Sequence, residues 1–127
     1  MRKCMLGIAV LMLCMASMSY AQFTYEIWDG IGGTAIADLT GDPNFPDNPT
    51  SVEELTLFET PTNRADNFGG RVYGWINPEM SGDYTFWIAT DDAGELWLST
   101  TDDPADSVLI AFEDSWTGAR SWQGGNE

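Results

Sequence analysis

The chain has 127 residues, with 20 acidic side chains against five basic ones, no histidine and two cysteines. Arg2 and Lys3 precede an apolar run from Cys4 to Met18, and Ser19-Tyr20-Ala21 puts small residues where a signal peptidase inspects the chain. Residues 1–21 therefore read as a secretory signal peptide cleaved before Gln22, which implies a secreted or cell-surface location.

The apolar run is too short and wrongly flanked for a membrane span. A lipoprotein anchor at Cys14 is disfavoured by bulky Met12 and Leu13 before it. Cleavage leaves 106 residues in which Arg64, Arg71 and Arg120 stand against all 20 acids, a formal charge of −17. Both cysteines leave with the leader, so no disulfide framework is available to the mature chain. Without His, Cys or Lys there is no Ser-His relay, thiol nucleophile, Schiff-base lysine or His/thiolate metal site. The acidity also argues against nucleic acid, whose phosphates need a positive footprint. Carboxylate chemistry, calcium and aromatic surfaces remain, and a soluble extracellular surface alone accounts for much of the charge.

The mature segment, 22–127, is the size of one small domain. Phe23 to Trp28 is aromatic and partly alternating and reads as an opening strand, ended by Gly30, Gly32 and Gly33. Asp38 to Pro49 is loop chemistry. Within it, Asp38-x-Thr40-x-Asp42 briefly suggests a calcium loop. Pro43 and Pro49 stand where such a loop needs its glycine and its bidentate glutamate, so the match is rejected. Thr50 to Phe58 is ambiguous: Thr50 with Glu53 could make a capping box for one helical turn, while Leu55, Leu57 and the flanking threonines also suit an extended piece, and the expectation is an irregular segment with a short turn of helix.

Alternation then predicts strands over Arg71–Ile76, Tyr84–Ala89, Leu96–Ser99 and Val108–Phe112, separated by Pro, Gly and Asp turns. The expected fold is all-β, an antiparallel sandwich or barrel. No segment beyond Phe112 reads as a strand that would close a sheet, so the expectation is a fragment whose final strands are missing, with an exposed edge.

Asn67-Phe68-Gly69-Gly70-Arg71-Val72-Tyr73-Gly74-Trp75-Ile76, then Pro78, Ser81-Gly82-Asp83-Tyr84-Thr85-Phe86, Asp91-Asp92 and Leu96-Trp97-Leu98-Ser99 together carry a signature. In that order and spacing they resemble the PA14 domain, a β-sandwich module of bacterial toxins, glycosidases and yeast adhesins. The resemblance is densest over 64–112, and the family's closing strands with their second ligand loop have no counterpart here. In the family's sugar-binding branch the pair matching Asp91 and Asp92 coordinates calcium through a cis peptide, and the calcium holds sugar hydroxyls. The resemblance thus implies Asp91 and Asp92 as calcium and carbohydrate ligands. The other reading is an Asp-rich β-turn, with Gly94 supplying a positive φ.

If Val72, Ile76, Tyr84, Phe86, Ile88, Leu96 and Leu98 face the core, Tyr73, Trp75, Trp87 and Trp97 point the other way. Sugar rings stack on such indoles, which makes Trp75, Trp87 and Trp97 candidate carbohydrate contacts. Cover by the Asp38–Phe58 loop or by a neighbouring domain is the competing and more economical reading. Trp116 and Trp122 read as packing residues of the missing C-terminal half.

Glycoside hydrolysis needs only two carboxyl groups, but no acid here is flanked by the apolar pocket a general acid requires. The expectation is a non-catalytic, secreted module that binds extracellular glycans or polysaccharide, with calcium as its cofactor, within a longer surface or secreted protein. The alternative is a structural spacer or protein-contact domain with no sugar binding.

Overall fold

A computed structural model describes residues 22–122; residues 1–21, where the signal peptide is expected, and the last five residues lie outside it. The fold is all-β, two antiparallel sheets with very little helix. The first sheet is built around β1 (Phe23–Asp29), with β2 (Ser51–Leu55) on one side and β3 (Phe68–Gly74) on the other. The second pairs β4 (Gly94–Leu98) with β5 (Val108–Glu113). A five-residue helix, α1 (Ile36–Thr40), and a 3-10 turn over Pro104–Asp106 complete the regular structure among the described residues.

β1 is central because it has something to bury on both faces. Phe23, Tyr25 and Ile27 alternate onto one face and are buried, and Trp28 is buried on the other. The rings of Phe23 and Tyr25 lie over β3, where Gly74 and Gly70 leave room for them. A Cβ at Gly70 would stand 2.6 Å from Tyr25 Cε2, and one at Gly74 would stand 2.5 Å from Phe23 Cδ1. Phe58 closes that end with its ring 5.0 Å from Phe23, edge to face.

On the opposite face, register sets Glu26 directly across from Arg71. Arg71 donates from Nε at 2.8 Å and from Nη2 at 2.6 Å to Glu26 Oε2. Its guanidinium also lies 5.7 Å from the Trp28 ring, 5.4 Å from Phe45 and 5.5 Å from Tyr73. Phe45 sits 5.0 Å from Trp28, whose indole N–H donates to the Asn44 carbonyl at 3.2 Å. The Asp38–Pro49 loop is therefore anchored on Trp28 and Arg71.

Several expectations need correction. Ser51–Leu55 is a strand, where a helical turn was expected. Thr50 spends its backbone N–H on the Ile27 carbonyl at 2.7 Å and its hydroxyl on the Asp29 N–H at 3.0 Å. A free edge of β1 thus outcompetes a local cap. β3 starts earlier than the alternation suggests and stops at Gly74, because its partner β1 begins opposite it at Phe23. Trp75 and Ile76 consequently have no ladder.

Tyr84–Ala89 is not a strand at all. Alternation makes a segment eligible for a sheet, but membership needs a neighbour to take its N–H and C=O groups, and none of the described residues does so. Ile76 and Tyr84, expected in the core, are each 52% exposed, while Val72, Phe86, Ile88, Leu96 and Leu98 are half-buried. α1, which no period announced, runs into the start of the Asp38–Pro49 stretch, and its Leu39 packs on the bare backbone of Gly69.

Candidate functional site

Asp91 and Asp92 sit at the corner that leads into β4. The peptide bond between them is cis, the isomer that the resemblance implies there. Asp91 is exposed and Asp92 half-buried. The corner is held from both sides. The Thr90 N–H donates to Thr117 Oγ1 at 2.8 Å, and the Thr117 N–H donates to the Thr90 carbonyl at 2.7 Å. On the other side the Ala93 N–H donates to the Thr34 carbonyl at 3.1 Å, tying the corner to the segment before α1.

Gly94 is buried and already in the β4 ladder, opposite Glu113. Its expected role as a positive-φ turn residue does not hold. What requires glycine is space, since a Cβ there would stand 2.2 Å from Thr90 Cγ2.

The donor chemistry of the pair suits a hard dication in kind but not in number. Calcium takes about 6–8 oxygens, and no group of three or more His, Cys, Asp or Glu side chains that could hold a metal occurs among the described residues. Asp38 and Asp42, from the rejected loop motif, serve as local caps. Asp38 Oδ2 accepts from the Ala35 N–H at 2.9 Å, and Asp42 Oδ1 accepts from the Asn44 N–H at 2.8 Å.

Trp75, Trp87 and Trp97 are exposed by 63%, 62% and 53% respectively. The cover expected from the Asp38–Phe58 loop is absent, because that loop spends Phe45 on Trp28 and Phe58 on Phe23. Trp97 is held by its own strand, its indole N–H donating to Glu95 Oε2 at 2.9 Å. Tyr73 belongs to a different cluster, its hydroxyl donating to Glu26 Oε1 at 3.2 Å beside Arg71. Trp116 and Trp122 are exposed among the described residues.

Beside the corner lies a cavity of about 230 Å³, lined by Thr34–Ile36, Ala93–Glu95 and Phe112–Asp114. Its notable side chain is Glu113, the buried charged residue of the described chain, only 9% exposed. Its carboxylate oxygens are not among the buried polar atoms left without a partner; among the described residues Thr90 Oγ1, at the corner itself, is such an atom. Glu113 and Thr117 both escaped the sequence reading. Glu113 follows an apolar strand run and looks like a strand end, whereas Thr117 meets Thr90 across 27 residues with no local motif.

The chain is 39% identical over 94 residues to N-acetyl-β-glucosaminyl-glycoprotein 4-β-N-acetylgalactosaminyltransferase 1 of Mus musculus. The match covers 72% of this chain but 9% of the mouse protein. No family model matches the chain, and no solved structure is significantly similar to it.

Proposed function

We propose that this chain is a non-catalytic carbohydrate-binding module of a longer secreted or surface protein. The observation that carries this reading is the match to the mouse protein, which is named as a transferase acting on glycoprotein glycans. The matched stretch is domain-sized and a small share of that protein, which suits an accessory module better than the catalytic part. The exposed indoles of Trp75, Trp87 and Trp97 support the reading, since each offers an apolar ring to the C–H face of a sugar. Asp91 and Asp92 offer neighbouring acceptors for hydroxyl groups.

The PA14 resemblance points the same way and adds calcium at Asp91 and Asp92. Because the pair supplies too few oxygens alone, that version needs main-chain carbonyls or groups outside residues 22–122 to complete the shell. A glycan array probed with the mature chain, with calcium and then with a chelator, tests both versions. Binding that survives chelation removes calcium from the reading; no binding in either condition removes the carbohydrate function. The spacer or protein-contact alternative is favoured by the exposure of Trp116 and Trp122, and it predicts an empty array in both conditions.

A further inference from the structure

Reading residues 1–21 as a signal peptide fixes which residue becomes the amino terminus. Cleavage after Ala21 exposes Gln22, which stands immediately before β1. Gln22 is exposed, and the ladders to β2 and β3 begin one position later, where Phe23 lies opposite Leu55 and Gly74. Its carbonyl oxygen is nevertheless held close to β3, 3.1 Å from where a Cβ on Gly74 would stand.

We propose that Gln22 is a modification site, at which the terminus freed by signal cleavage cyclises to pyroglutamate. The unprotonated α-amine attacks Cδ of its own side-chain amide. The bond from the α-nitrogen to Cδ forms and the Cδ–Nε2 bond breaks. The amide nitrogen leaves as ammonia, carrying the proton that the α-nitrogen gives up, so no oxidant, reductant or second reactant enters. The attack is intramolecular, and an α-amine with a pKa of about 7.7–8.0 is partly unprotonated at neutral pH. The lactam leaves the Gln22 carbonyl outside the ring, so its approach to Gly74 is kept.

The rest of the sequence gives this step its weight. Lys3 is the sole lysine and lies within residues 1–21, so the Gln22 α-amine is the one primary amine of the mature chain. Cyclisation removes it and leaves Arg64, Arg71 and Arg120 as the cations, each paired with a carboxylate. The lactam also shields the start of the central strand. One residue separates the terminus from Phe23, which is 7% exposed and sets its ring 5.0 Å from that of Phe58. An exopeptidase that removed two residues would therefore remove part of the core. Nothing in this step depends on carbohydrate binding; it depends on cleavage before Gln22.

The test uses the chain 1–127 secreted from a host with a signal peptidase, analysed fresh and after prolonged incubation at neutral pH. Intact mass, stepwise N-terminal sequencing and labelling by an amine-reactive ester are the readouts. By the end of the incubation the expected mass is that of 22–127 less one ammonia. Sequencing should be blocked until a pyroglutamyl peptidase is added, and should then begin at Phe23. Labelling should fall to zero per chain. Gln22→Ala cannot cyclise and should sequence directly, take one label per chain and lose residue 22 to an aminopeptidase that leaves the wild type intact.

A wild-type chain that begins at Gln22, keeps its full mass after incubation and takes one label overturns the modification while the cleavage reading stands. A chain that begins at any other residue overturns both. Either result leaves the glycan array untouched as the test of the carbohydrate reading.

Discussion

Thr117 grips Thr90 by three hydrogen bonds. Its main-chain N–H donates to the Thr90 carbonyl at 2.7 Å, and its hydroxyl accepts from the Thr90 N–H at 2.8 Å while lying 3.2 Å from the same carbonyl as a donor. Thr90 is the residue immediately before the Asp91–Asp92 corner, so this grip fixes the corner to a segment far along the chain.

Thr117→Ala removes both hydroxyl bonds and leaves the Thr90 N–H without its acceptor. The expected loss is about 1–2 kcal/mol, between the net worth of one hydrogen bond and the cost of an unsatisfied donor. Urea denaturation measures it, and hydrogen exchange at the Thr90 amide should accelerate. Thr117→Ser keeps the hydroxyl and should restore both; failure of serine to rescue would assign the effect to the lost methyl packing instead.

Gly94→Ala tests the reason for glycine at the other side of the corner. A Cβ there would stand 2.2 Å from Thr90 Cγ2 and 2.8 Å from its Cβ. Overpacking of this kind costs about 1–3 kcal/mol. Adding Thr90→Ala removes the closer atom and should return part of that loss, so the double variant is expected to be more stable than the sum of the singles. Simple additivity would show that the crowding is not the cause.

These two residues also mark the limit of what the sequence makes legible. β1, β4 and β5 could be read because each carries its own alternation or aromatic run and finds a partner. Ser51–Leu55 and Tyr84–Ala89 went the other way. Local capping chemistry at Thr50 was outweighed by an open edge of β1, and good alternation from Tyr84 was left without a neighbour. Pairing between distant segments decides both, and local composition does not encode it. At the site, Asp91 and Asp92 were visible as an unusual juxtaposition of charge. Thr117, the Gly94 clearance and the burial of Glu113 exist only once β4 and β5 are paired and the segment beyond them folds back.

Arg71→Lys probes the cluster that anchors the Asp38–Pro49 loop. The guanidinium makes two N–H contacts to Glu26 Oε2 and lies within 5.4–5.7 Å of three ring centroids. Lysine keeps the charge but loses the planar fork and the stacking, so a loss of about 1–2 kcal/mol is expected in thermal or urea unfolding. A cycle with Phe45→Leu should show a coupling of about 0.5–1 kcal/mol. Zero coupling would mean that Phe45 holds the loop through Trp28 alone.

Alkaline stability isolates Tyr25, the buried residue at the centre of β1, only 1% exposed. Burial raises its pKa above the ordinary value of 10.0; Arg64 opposes the shift, and Glu53 and Asp29 add to it. A neutral phenol is therefore favoured in the folded state, while the unfolded chain ionises at the ordinary value. Below pH 10 the two states carry the same proton and the group contributes no pH dependence. Above it, the unfolded state loses the proton first, so stability falls as pH rises from 10 toward the folded pKa. Tyr25→Phe removes the ionisable group and should flatten that part of the curve, measured as urea midpoints between pH 8 and about 11. An unchanged alkaline slope in the phenylalanine variant would show that Tyr25 is not the group responsible.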